Sequence, residues 1–288
     1  MKRRDQGTYE YLRHHKRFPH VWCAGCGIGI VMGSLLRSIQ KLELVQDDVA
    51  VVSGIGCTGR MPVYMDFNTM HTTHGRALAF ATGLKLARPE LEIVVVMGDG
   101  DALAIGGNHF IHAARRNIDL TALIVNNNIY GMTGGQSSPT TPLHAFSSTA
   151  PFGHIEQPFP VCELAMAAGA AFVARGTVYH VNELDKLVER AMRKQGFSAV
   201  EVVSYCHTGY GRANKTGSPV EMMRLLKEKS VSIRAAEKLA DELPADAIVR
   251  GVFRDEDKPE YTELYDEVIK QAHGPLAPRK RKVRRGWT

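Results

Sequence analysis

The sequence predicts an α/β protein, a doubly wound and mostly parallel sheet with a small helical appendage towards its C-terminal end. Three observations predict it. Two apolar runs, residues 93–97 and 123–125, break at Gly98-Asp99-Gly100 and at Asn126-Asn127, and the 26 residues between Gly100 and Asn127 (101–126) leave room for one crossover helix and the return strand of a βαβ unit. Two more buried-type runs, 49–52 and 199–203, alternate with segments of helical apolar spacing. All four runs stop at turn-forming or polar residues, as strands do at the carboxyl edge of an open α/β sheet.

Taken in order, residues 1–21 read as an irregular basic arm in which His14, His15 and His20 lack any helical or strand spacing. Cys23-Ala24-Gly25-Cys26 then opens an apolar-periodic helix over 28–42, a placement expected to lower thiol pKa and to suit a redox pair or metal thiolates. The strand 49–52 ends at Gly54-Ile55-Gly56-Cys57-Thr58-Gly59-Arg60. This is a literal G-x-G-x-x-G, but the dinucleotide reading needs an amphipathic helix next, and Pro62 with the aromatic run 64–68 does not supply one. His71-Thr72-Thr73-His74-Gly75 precedes a helix over 76–87, with Ala77, Phe80, Ala81, Leu84 and Ala87 on one face. The central strands follow, breaking at Gly98-Asp99-Gly100 and at Asn126-Asn127-Asn128. The polar stretch from 132 to about 159 is long for a structureless loop and so reads as functional, a lid or an interface. Beyond it come a helix over 162–168, a strand over 171–174, a helix over 183–194 and the last expected strand, 199–203. Helical segments at 220–229, 233–243 and 261–273 form the appendage. The expected divisions are an arm (1–21), the α/β domain (22–211), the appendage (212–274) and a basic tail (275–288).

Composition excludes some classes. Hydrophobic residues make up 44% and charged residues 23%, ordinary for a globular protein. No apolar run approaches the roughly 20 residues of a membrane span, and the first residues lack the apolar core of a secretory signal. A cytoplasmic location is the expectation. Six of the seven residues from Arg279 to Arg285 are basic and carry much of the net charge of +6. That tail reads as a solvated terminus. Nucleic acid is not the expected partner, because no recognised binding module accompanies the tail. Steering of an acidic protein is a further use for it.

Chemistry concentrates at the strand ends. Asp99 and Asn127 place a carboxylate and a carboxamide among glycines at one sheet edge, a pair of hard oxygens suited to Mg²⁺ with phosphate. Cys57 and Cys206 each follow a strand at that same edge, and the Cys23–Cys26 pair heads a helix able to reach it. Four thiolates fit zinc or an iron–sulfur cluster. Zinc commonly uses two close pairs, and only one is present here. The fifth cysteine, Cys162, lies on an apolar helix and reads as core.

Gly98-Asp99-Gly100, its spacer and Asn126-Asn127 resemble the diphosphate signature of thiamine-diphosphate enzymes. Adding Trp22 to Gly27, Gly54 to Arg60, His74-Gly75-Arg76, Gly98 to Asn108 and Ile129 to Gln136, the chain resembles the β subunits of 2-oxoacid:ferredoxin oxidoreductases over about 18–230, most closely the 2-oxoglutarate enzymes. The resemblance implies the thiamine-diphosphate-binding fold. It implies Mg²⁺ on Asp99, Asn127 and the Ile129 carbonyl. Amides of Gly100, Asp101, Gly131 and Met132 would hold the diphosphate together with His74, and Ile55, Gly56, Cys57 and Thr58 would lie against the thiazolium. A 4Fe–4S cluster would sit on Cys23, Cys26, Cys57 and Cys206. Arg60, three residues past Cys57, is the candidate for pairing the distal carboxylate of 2-oxoglutarate. The implied reaction converts a 2-oxoacid and coenzyme A to acyl-CoA and CO₂ with reduction of ferredoxin, or runs in reverse. The glutamate that activates thiamine has no convincing motif here. In the family it comes from an α subunit whose domain covers the pyrimidine, so an αβ unit, paired as (αβ)₂, is expected. Pyruvate or broad specificity is the alternative within the family. A non-redox thiamine enzyme and a zinc-bound basic binding module are the alternatives outside it.

Overall fold

Hydrophobic alternation sorts the side chains of one sheet onto two faces. In the computed structural model, which describes residues 7–14 and 18–273, this sheet contains β1 (Val49–Ser53), β2 (Asn68–His71), β3 (Glu92–Gly98) and β4 (Thr121–Asn126). It is completed by β7 (Phe172–Thr177), β8 (Ser198–Val203), β9 (Ser230–Ser232) and β10 (Ile248–Asp255). A separate two-stranded hairpin pairs β5 (Ile129–Tyr130) with β6 (Gln136–Ser137). The order is β2-β1-β3-β4-β8-β7-β10-β9, parallel from β2 to β7, with β10 antiparallel to β7.

Val51, Val94, Val96, Leu123, Val125 and Val200 face α1 (Ile28–Lys41) and α5 (Val181–Arg193). Ala50, Val52, Ile93, Val95, Ala122 and Ile124 face α2 (Ala77–Ala87), α3 (Gly107–Arg115) and α4 (Val161–Ala167). Strands covered on both faces are apolar throughout, and β3 and β4 are buried over nearly their whole length. At about 2 kcal/mol for each fully buried aliphatic side chain, this double packing is the main favourable contribution to the fold. It also fixes where the carboxyl ends of β1, β3, β4 and β8 emerge: Ser53 pairs with Val96, Gly98 with Val125 and Asn126 with Val203.

The expected doubly wound, mostly parallel sheet is present, with three differences. Strand β2 is an unexpected edge strand, its residues exposed or half-buried and its sequence polar. The strand 199–203 is not the last. Strand β10 adds the C-terminal region to the main sheet, and β9 pairs beside it, between α6 (Pro219–Lys229) and α7 (Ile233–Leu239). The appendage, with α8 (Tyr261–His273), is therefore helical and stranded. The stretch 132–159 is a folded loop. It carries β6 and is tied by backbone bonds such as His144 N–H to His154 O (2.7 Å) and Phe159 N–H to Pro139 O (2.8 Å). The arm contains a 3₁₀ turn, Gly7–Tyr11, and bridges Leu12 to Met65. His15 and the tail 275–288 lie outside the described residues. No helix among the described residues is long and apolar enough to cross a membrane.

Candidate active site

The loops leaving β3 and β4 meet over Asp99. This carboxyl is 3% exposed, and its Oδ2 accepts from Ser138 Oγ at 2.6 Å and Thr140 Oγ1 at 2.5 Å. Burial pushes its pKa up, and the hydrogen bonds from the two hydroxyls and the Gly100 amide offset that only in part. A nearby cation would offset the cost of burying this carboxylate. Of the three asparagines, Asn126 is committed to the core, donating to Glu201 Oε1 at 2.8 Å. Asn127 is half-buried, and the Ile129 amide reaches its Oδ1 only at 3.4 Å, leaving that oxygen available. Tyr130 donates to the Gly100 carbonyl at 3.2 Å, and a Cβ on Gly100 would meet its ring at 2.2 Å, so glycine is required for the two loops to approach. The Gly100 amide is bonded to the Asp99 carboxylate. Met132 is 44% exposed beyond the hairpin strand β5.

The thiols gather beside these loops. Trp22 Nε1 donates to the Cys57 carbonyl at 2.7 Å and, packed on His20 and Tyr64, pins the Cys23–Cys26 turn against the end of β1. At the head of α1, a Cβ on Gly27 would lie 2.3 Å from Ser204 Oγ, so the helix start abuts the exit of β8. Cys23 Sγ and Cys206 Sγ both reach Thr208 Oγ1, at 3.9 and 3.5 Å. The Cys26 thiol is pushed up to about 11, first by burial and then by the charges that Cys57, Cys206 and Cys23 would carry. The lowered pKa expected for a thiol at a helix start is thus reversed at Cys26, because burial outweighs the backbone hydrogen bond from Ile28. Burial also raises the Cys57 thiol, with Cys206 and Cys23 adding to the rise and Arg60 opposing it. Cys162 is buried under Glu201 (Sγ to Oε2, 3.5 Å), apart from the other four and in the core as expected.

Among the described residues no three His, Cys, Asp or Glu side chains converge closely enough to hold one metal ion. The two centres expected here differ from that arrangement. Magnesium would take one carboxylate, one carboxamide and a backbone carbonyl, and each thiolate of a cubane cluster ligates its own iron, so the four sulfurs stand further apart than the ligands of a single ion. The donor sets fit both groups. Gly131 joins the two regions: a Cβ there would lie 3.1 Å from Cys206 Sγ and 3.9 Å from Cys57 Sγ. Gly56 has φ +116°, a conformation that lets the Ile55–Thr58 loop turn over the same edge. Ile55 is 38% exposed there. Arg60 is exposed and, among the described residues, forms no ion pair.

Residues 48–202 match the thiamine pyrophosphate enzyme family, C-terminal TPP binding domain. The chain is 49% identical over 262 residues to the 2-oxoglutarate synthase subunit KorB of Methanocaldococcus jannaschii, covering 91% of this chain and 97% of that one. The chain belongs to the KorB family of thiamine pyrophosphate enzymes. A second KorB, from Archaeoglobus fulgidus, is 50% identical over 260 residues, 90% of this chain and 93% of its own. The 2-oxoglutarate:ferredoxin oxidoreductase from Magnetococcus marinus, solved with 2-oxoglutarate, coenzyme A and succinyl-CoA bound, superposes with a TM-score of 0.84 at 30% identity, over 96% of this chain and 94% of that one. The family agrees with the resemblance read from the motifs, and the match with the solved structure extends through the appendage.

Several residues of this KorB-family site carried no signal in the sequence. Ser138 and Thr140 sit in a polar loop whose composition does not reveal that two hydroxyls close on Asp99. Thr208 is in the same position, and Trp22, although part of a matching motif, gives no sign there of its bond to Cys57, since both roles depend on long-range packing. The carboxylate of Asp101 was detectable as a second acid beside Asp99, but its partners, His74, Gly75 and Ile55, come from two other strand ends.

Proposed function

We propose that the chain is the thiamine-diphosphate-binding β subunit of a 2-oxoglutarate:ferredoxin oxidoreductase, acting with an α subunit that supplies the pyrimidine domain and its glutamate. The observation that carries the reading is Gly131. It lies on the loop expected to hold the diphosphate and also within van der Waals reach of two of the four clustered thiols. A redox centre has a use at that distance from a thiamine cofactor, and structural zinc has none.

When bound, thiamine diphosphate supplies a nucleophilic carbon and an electron sink for decarboxylation, and an iron–sulfur cluster supplies a one-electron acceptor. The chain's own residues would prepare that chemistry. Asp99 and Asn127 would hold Mg²⁺ together with the Ile129 carbonyl, and the hydroxyls of Ser138 and Thr140 fix the Asp99 carboxylate in place. Cys23, Cys26, Cys57 and Cys206 would ligate the cluster. Arg60, exposed and unpaired with any described acid, would bind the distal carboxylate of the substrate. Ferredoxin is the proposed electron carrier and coenzyme A the acyl acceptor, with two αβ units in the assembly.

The complex purified without oxygen is expected to be brown, to contain iron and acid-labile sulfide, and to reduce viologen only when both 2-oxoglutarate and coenzyme A are present. Colourless, zinc-containing protein would remove the reading, as would reduction independent of coenzyme A.

A further inference from the structure

The Asp101 carboxylate connects three segments. Its Oδ1 accepts from the Gly75 amide at 2.7 Å and the Ile55 amide at 3.3 Å, and lies 2.5 Å from His74 Nδ1. The residue is 2% exposed, and its other oxygen, Oδ2, is buried with no hydrogen-bond partner among the described residues. That oxygen occupies the space beside Gly54, where a Cβ would sit 1.9 Å away. Burying a carboxylate is costly unless its charge is met. Of the three groups on Oδ1, only the imidazole can bring a positive charge.

Engagement of Nδ1 leaves Nε2 as the ring nitrogen free to meet a ligand. The His74 side chain is 36% exposed, and its ring stands edge-to-face with Tyr130 at 6.1 Å, which is in turn bonded to Gly100. The ring therefore borders both phosphate loops. Ile55, whose amide meets the same carboxylate oxygen, begins the loop expected against the thiazolium.

We propose that Asp101 is a positioning residue for the cofactor: it holds His74 through Nδ1 so that Nε2 faces the diphosphate, and it ties that imidazole to the Ile55–Thr58 loop. The proposal rests on the thiamine-diphosphate reading given above. The Asp101 carboxylate acts through His74 and does not itself touch the cofactor.

A double-mutant cycle tests it on the αβ complex stripped of cofactor, by equilibrium dialysis of thiamine diphosphate with Mg²⁺. Asp101→Asn is expected to weaken binding about tenfold, as loss of an outer partner to a ligand histidine does. In a His74→Gln background the same change is expected to cost less than about twofold. Gly54→Ala, which drives a methyl into Oδ2 from the other side, is expected to show the same dependence on His74. It carries the cycle if Asp101→Asn does not assemble. Equal losses in both backgrounds, or no loss at all, overturn the positioning role while leaving the cofactor reading intact. A wild-type complex that binds no thiamine diphosphate overturns the cofactor reading, and the positioning role with it.

Discussion

Single atoms decide the properties of this site. Thr140 Oγ1 lies 2.5 Å from Asp99 Oδ2, so Thr140→Val keeps the shape and removes one of two hydroxyls on a buried carboxylate. Magnesium-dependent binding of thiamine diphosphate is expected to weaken about tenfold, as measured by titration of the metal. Gly131 leaves little room for a side chain, since a Cβ would stand 3.1 Å from Cys206 Sγ and the thiol would have to shift by a few tenths of an ångström. Gly131→Ala is expected to lower iron and sulfide content severalfold, through overpacking of about 1–3 kcal/mol at the thiols. Arg60→Ala is expected to erase the preference for 2-oxoglutarate over pyruvate, read as the ratio of kcat/KM for the two acids. An unchanged ratio removes Arg60 from substrate selection.

Among the elements, the buried ones could be read from the sequence and the edges could not. Strands β1, β3, β4 and β8 are covered on both faces, so their apolar runs announce them, and their ends locate Asp99, Asn127, Cys57 and Cys206 together. Strand β2 is a polar, half-exposed edge that pairs, among the described residues, with β1 alone, and nothing in Asn68–His71 alternates. Strand β10 is half-buried along its length and irregular between Val252 and Arg254, so its charged residues conceal it. The thiol cluster was legible in part. Cys57 and Cys206 followed from strand ends and the Cys23–Cys26 pair from a helix head, whereas the indole hydrogen bond that helps to bring that turn to Cys57, Trp22 Nε1 to Cys57 O, leaves no local pattern. Trp22→Phe keeps the ring and removes that bond. It is expected to cost about 1 kcal/mol in denaturant unfolding and to hasten loss of iron to a chelator.

Across the whole molecule, charge pairs connect the sheet to its surroundings. Arg175 Nε donates to Glu201 Oε2 at 2.6 Å, in the interior between β7 and β8, and Arg175 Nη1 donates to the Val249 carbonyl of β10. Glu201 also receives Asn126, so one buried pair supports both the appendage and the base of the loop that would hold the metal. Glu201→Gln leaves the guanidinium with Glu163 Oε2, at 3.6 Å, as its remaining counter-charge and is expected to cost about 3 kcal/mol, measured by denaturant unfolding. The α1–α5 seam gives a pH signature. Burial alone would raise Glu189, but hydrogen bonds from Lys41 and Arg193 outweigh it and hold the carboxyl below its ordinary value of 4.5. Because the folded value is depressed, this stabilisation is complete above about pH 4.5 and is lost as pH falls through the lowered value. Glu189→Gln is expected to cost about 1 kcal/mol at neutral pH, and the difference from wild type is expected to vanish on acidification.

The four clustered sulfurs come from positions 23, 26, 57 and 206. During synthesis the first three emerge long before the fourth, so their cage stays open until most of the chain has been made. Delivery of iron to the proposed cluster would therefore follow synthesis of Cys206 rather than accompany that of the first three thiols. Cys23 is the exposed member of the set, so the finished protein offers an incoming donor one accessible thiol from which to begin.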